Sequence, residues 1–162
     1  MPSRRERIVV DEGRVKHVPV LVVLEVMWGS PRREAPDFFW INTVCNKSGR
    51  LLRRLVGTRY VYVTNACREC VPSASHRGTR DAVRLERNLR GVSSDLLLIC
   101  GKVAQATYEE TDWDPPASTK AYYMKHPASR NWTNEEIEET AAQLQKDLDD
   151  VCQRFEPSGR ET

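Results

Sequence analysis

Three side chains suited to proton and hydrogen-bond chemistry stand where apolar runs stop. They are Glu25 in Leu24-Glu25-Val-Met-Trp-Gly29, Asn65 in Tyr62-Val-Thr-Asn65-Ala-Cys-Arg-Glu-Cys70, and His126 in Met124-Lys-His126-Pro-Ala-Ser129-Arg130-Asn131. A carboxylate can orient and deprotonate a water. A carboxamide donates and accepts at once, and an imidazole titrates near neutral pH. Each also has a plain structural reading: Glu25 can pair with an arginine, Asn65 can cap a turn, and His126 can sit satisfied in the core. His17 and His76 show no partner signal. Neither G-x-G-x-x-G nor G-x-x-x-x-G-K occurs, which argues against a nucleoside-triphosphate enzyme.

The five cysteines do not suggest a metal. Cys67 and Cys70 form one Cys-x-x-Cys, but a zinc or iron–sulfur site usually draws on a second close pair, and none exists. An odd count, with no apolar signal segment at Met1-Pro-Ser-Arg-Arg-Glu-Arg7, reads as reduced thiols in a cytoplasmic protein. No metal and no cofactor is expected.

The elements that must position these groups alternate. Val18 to Val26 is a nearly continuous apolar run, as in a strand covered on both faces. A loop rich in Pro, Trp and charge follows to about Asn46, and Gly49 to Val56 has helical spacing ending at Gly57. Tyr60 to Asn65 reads as a second strand, Cys67 to Gly78 as loop, and Thr79 to Asn88 as a helix burying Ala82, Leu85 and Leu89. Asp95 to Cys100 is a third strand. Gly101 turns into a helix around Val103 to Tyr108, and Lys120 to Lys125 is a fourth strand. Thr133-Asn-Glu-Glu136 is a capping box, followed by a helix burying Ile137, Ala141, Leu144, Leu148, Val151 and Phe155.

That order predicts an α/β fold: a three-layer α/β/α sandwich with a mostly parallel four-stranded central sheet. The 162 residues suit one domain, with flexible ends at 1–16 and 156–162. In such folds ligands bind at the carboxyl ends of the strands, where Glu25, Asn65 and His126 stand.

Charge is divided unevenly. Residues 1–90 hold 18 Lys/Arg against 9 Asp/Glu, a net of +9, and residues 91–162 hold 7 against 14, a net of −7, giving the total of +2. The basic half is rich in arginine, which pairs bidentately with phosphate, so a nucleic-acid backbone is a natural partner. Solvated helix faces are the alternative reading. The longest apolar run falls far short of the roughly 20 residues of a membrane span, so no membrane partner is expected. A monomer is expected.

Taken together, these segments resemble the uracil-DNA glycosylase superfamily over roughly residues 18–150. Leu24-Glu25-Val-Met-Trp-Gly29 stands where the family has its first motif, and Phe38-Phe39 follows as the aromatic. Gly49-Arg50-Leu-Leu52 matches a Gly-x-Leu-Leu helix, and Asn65 closes the second strand. Leu98-Ile-Cys-Gly101-Lys-Val-Ala104 and the His126-Pro segment complete the order. Leu24 replaces the first glycine of a Gly-Glu-Ala-Pro-Gly motif. No cysteine precedes Cys45, so the iron–sulfur cluster of some members is not expected.

The resemblance implies excision of uracil or a modified pyrimidine from single- or double-stranded DNA, by base flipping. Phe38 or Phe39 would stack the flipped base, and Asn65 would read its edge. His126 would stabilise negative charge on the departing base. Glu25 would position water, with Glu34 and Asp37 as alternative carboxylates. Arg50, Arg68, Ser129 and Arg130 would contact the DNA, and Trp132 could join Arg130 in gripping the duplex. Two other readings stay open: a catalytically inactive nucleic-acid- or nucleotide-binding module on the same fold, and an unrelated small α/β binding protein.

Overall fold

The structure, a computed structural model, describes residues 6–28, 35–41, 47–71 and 78–154. Its strands are β1 (Val9–Asp11), β2 (Arg14–Leu24), β3 (Met27–Trp28), β4 (Phe39–Trp40), β5 (Val61–Asn65), β6 (Cys70–Val71), β7 (Ser93–Cys100) and β8 (Lys120–Met124). Its helices are α1 (Lys47–Val56), α2 (Ala82–Gly91), α3 (Lys102–Glu109) and α4 (Asn134–Arg154). The main sheet has the order β4-β5-β2-β7-β8, with β1 paired to the start of β2.

The four predicted strands are all parallel and adjacent, in the order β5-β2-β7-β8. Burial on both faces explains why β2 reads as a continuous apolar run. Val20, Val22 and Leu24 pack with Val61, Val63, Leu96 and Leu98 against Leu52 and Leu55 of α1 and Leu144 and Leu148 of α4. Leu21 and Val23 pack with Leu97 and Ile99 against Leu85 and Leu89 of α2 and Ala104 of α3. Two helices therefore cover each face, which makes the predicted three-layer sandwich. Pro19, which cannot donate to a ladder, falls between β2's pairing with β1, ending at His17, and its pairing with β5, beginning at Val20.

Local chemistry sets the helix ends. Asp81 caps α2 through Arg84 N–H at 3.0 Å, so the helix starts at Ala82 rather than Thr79. Thr133 and Glu136 form the expected reciprocal box, with Glu136 N–H donating to Thr133 Oγ1 at 3.1 Å and Thr133 N–H donating to Glu136 Oε1 at 3.3 Å. Gly57, at φ 69°, takes the left-handed turn that lets α1 double back into β5.

Two stretches read as loop contain short strands. β4 adds an antiparallel edge, Phe39 opposite Val63 and Trp40 opposite Tyr62. β3 and β6 form a separate parallel pair, Met27 with Cys70 and Trp28 with Val71. Two-residue strands have too few side chains to show a period of two, so alternation could not reveal them. Cys45, His76 and Phe155 lie outside the described residues.

Candidate functional site

Parallel pairing delivers the carboxyl ends of four strands to one rim. Leu24 is the register partner of Asn65, and the contact continues beyond the strands: Ala66 N–H donates to Leu24 O at 2.8 Å and Cys67 N–H to Glu25 O at 2.9 Å. On the other side, Cys100 pairs with Met124, and Gly101 N–H donates to Met124 O at 2.9 Å. Across the rim the order is thus Asn65, Glu25, Gly101 and His126.

His126 is built into a tight loop. The backbone N–H of Ala128 donates to its Nδ1 at 3.0 Å. Its carbonyl accepts from Ser129 N–H at 2.9 Å and from the indole Nε1–H of Trp132 at 3.0 Å. Because Nδ1 is an acceptor, the neutral ring carries its proton on Nε2. Burial pushes the His126 pKa below its ordinary 6.5, and the opposing pull of Glu25 is the smaller effect. The arrangement is a neutral imidazole whose Nε2–H is a fixed donor.

Gly101 lies against that residue. A Cβ on Gly101 would lie 3.4 Å from His126 Cβ and 3.6 Å from its Cδ2, and its φ of 91° with ψ of 164° is a region kept almost wholly by glycine. Sequence reading finds Gly101 as a turn glycine. Its place beside His126 requires the strand order.

Asn65 is only 1% exposed, and neither its Nδ2 nor its Oδ1 has a hydrogen-bond partner among the described residues. Native proteins rarely leave such groups unmatched, because each costs on the order of 1–3 kcal/mol. A turn-capping asparagine would have at least one bond, so the capping reading fails on this observation. The side chain lies on the same sheet face as Val61 and Val63, the face covered by α1 and α4.

The two phenylalanines part company. Phe39 is opposite Val63 in antiparallel register and therefore shares Asn65's face, where it packs on the α1/α4 core. Phe38 points to the other face and stacks on Tyr62, with centroids 5.0 Å apart and planes 3° apart.

Among the carboxylates, Glu25 is half-buried at the rim. Its charge raises the pKa of His126 and, with burial as the larger cause, helps push the Cys67 thiol up to about 11. Asp37 is engaged elsewhere, accepting from Arg84 Nε at 3.0 Å and Arg87 Nη2 at 3.2 Å. Glu34 lies outside the described residues. Arg84 also donates to Cys67 O at 3.2 Å, Ala35 O at 2.9 Å and Pro36 O at 3.0 Å, bracing the segment that leads into β4.

The four DNA-contact candidates do not gather in one place. Arg68 is exposed just beyond Asn65 and pairs loosely with Glu69 at 3.7 Å. Arg130 is exposed in the His126 loop, where Ser129 Oγ accepts from Asn131 N–H at 3.2 Å. Trp132 packs on the core with Lys125 4.9 Å above its ring. Arg50 lies on α1, in a groove at the opposite end of the sheet.

His17 has partners that sequence spacing does not reveal: Ser93 Oγ at 2.7 Å from Nδ1 and Asp95 Oδ1 at 3.2 Å from Nε2. The β2–β7 register creates the contact by making His17 and Ser93 neighbours. Cys67, Cys70 and Cys100 are buried free thiols, and among the described residues no three His, Cys, Asp or Glu side chains converge on a metal position. No described helix is long and apolar enough to cross a membrane. No protein-family model matches the chain, and no curated protein matches it.

Proposed function

We propose that the rim is the active site of a DNA glycosylase of the uracil-excising type, acting on a flipped pyrimidine. The observation that carries this reading is the buried carboxamide of Asn65, unmet by any group among the described residues, on the same rim as a histidine with a fixed Nε2–H. An uncompensated donor and acceptor side by side suit the N3–H and O4 edge of uracil. Phe39, on the same face, is the side chain available to stack against the base.

The chemistry divides among three groups. As the C1′–N1 bond breaks, its electron pair goes to the base and negative charge grows on O2. The Nε2–H of His126 stabilises that charge without having to transfer a proton, a contribution typically of ~3–4 kcal/mol for one well-placed donor. Glu25 orients water against the positive C1′ and accepts its proton as the new C–O bond forms. The products are the free base and an abasic sugar.

Single-turnover excision of uracil from labelled single- and double-stranded DNA, followed by scission at abasic sites, tests the proposal. Wild type should cleave, and His126→Ala and Glu25→Gln should each lose roughly two orders of magnitude or more. No cleavage by folded wild type would overturn the enzymatic reading, and DNA binding retained in that case would leave a non-catalytic binding module.

A further inference from the structure

The arginines of the basic half are not equally available. Arg84 is committed to Asp37 and three carbonyls, Arg87 to Asp37, Arg80 to Glu110 and Arg90 to Glu86. Arg53 and Arg54 have no acidic partner among the described residues. They lie on the last turn of α1, and Arg50 precedes them by three and four residues, so all three are neighbours on the helix surface. Gly57 then reverses the chain and brings Arg59 alongside. Its Nη2 donates to Tyr60 Oη at 2.8 Å, and its guanidinium lies 4.9 Å above the Tyr60 ring.

These four guanidinium groups line an open groove of about 760 Å³ with Gly57, Thr58 and a single carboxylate, Glu6. Arg53, Arg54 and Arg59 against the one lining carboxylate make it a concentrated basic feature, and the planar donors of arginine match phosphate oxygens two at a time. The groove is not part of the rim. Arg59 stands just before β5 and Asn65 at its far end, roughly 20 Å apart at the rise of an extended chain.

We infer that this groove is a second phosphate-binding site, which takes the phosphodiester backbone of a nucleic acid independently of base sequence. The site grips phosphates through Arg53, Arg54 and Arg59 and reads no bases. It does not depend on whether the rim is catalytic.

The test is binding of the full chain to a labelled 20-base-pair duplex of ordinary bases, titrated from 50 to 200 mM salt. Each phosphate neutralised contributes a slope of roughly −0.9 in log affinity against log salt. R53E/R54E should flatten the slope by about two and weaken binding at least tenfold at 50 mM salt. R53K/R54K should keep the slope, because the charges remain. R68E/R130E on the rim should leave the contribution of Arg53 and Arg54 unchanged. Arg53 and Arg54 are exposed, so the fold should tolerate all these changes, which circular dichroism checks.

Unchanged slope and affinity in R53E/R54E would overturn the inference. So would a wild-type protein that fails to bind the duplex, including one that binds only inorganic tripolyphosphate through these arginines. Failure of uracil excision would leave the slope difference intact, so the two proposals fail separately.

Discussion

The backbone N–H of Ala128 points at Nδ1 of His126 from 3.0 Å, so one peptide group decides which ring nitrogen of the rim histidine carries the proton. Burial works in the same direction by disfavouring the imidazolium.

The His126 titration midpoint, followed by NMR, should therefore fall below 6.5. Glu25→Gln should lower it further, since that charge is what holds it up. Because the folded value is depressed, the stability tied to this group is fully present above about pH 6.5 and is lost as pH falls through the folded midpoint. A midpoint at or above 6.5 would contradict the fixed neutral donor.

Asn65 should show opposite effects on stability and function. Replacing it by Leu removes two unmatched buried polar atoms from the apolar sheet face it shares with Val63 and with Leu24, its register partner. Urea unfolding should then show Asn65→Leu more stable than wild type by about 1–3 kcal/mol, with excision lost. A destabilised Asn65→Leu would mean that the carboxamide is matched in the folded protein.

Gly101→Ala should act through the backbone. Its conformation costs a non-glycine residue about 1–3 kcal/mol, whereas the new methyl would only reach ordinary van der Waals contact with His126. Thermal unfolding should report that cost. A single-turnover rate no lower than that of an equally destabilised variant elsewhere should show that the imidazole keeps its place.

Arg84→Ala should cost about 2 kcal/mol or more, since it strips donors from three carbonyls and a carboxylate at once. Arg84→Lys should recover only part of this, because an ammonium cannot span the acceptors that a guanidinium reaches. Equal stability of Arg84→Lys and wild type, by urea unfolding, would show that the brace acts through charge alone.

The fold was legible because its main strands and helices are long enough to show their periods. Val18 to Val26 and Asp95 to Cys100 are buried on both faces and read as unbroken apolar runs, and Leu52, Leu55, Leu85 and Leu89 keep helical steps. β3, β4 and β6 have two residues each and leave no period to read. Strand ends located Glu25, Asn65 and His126 on one rim, because parallel strands share a carboxyl edge. The unmet state of Asn65, the Ala128 amide on His126 and the parting of Phe38 from Phe39 all depend on register and loop geometry, which no spacing encodes. Charge composition showed that half the chain is basic. Only the ion pairs reveal that Arg80, Arg84, Arg87 and Arg90 are committed while Arg53 and Arg54 are not.

β2 is laddered to β5 on one side and β7 on the other along the same stretch, from Val20 to Val23. Opening any of those rungs means separating the sheet at its centre and exposing both layers of core together. The amides of Val20 to Val23 should therefore be among the slowest in the molecule to exchange with deuterium, at rates set by global unfolding. Asn65 and Gly101, one strand away on either side, are anchored to a ruler that does not flex while the protein stays folded. A ligand arriving at the rim must accept the spacing it finds there.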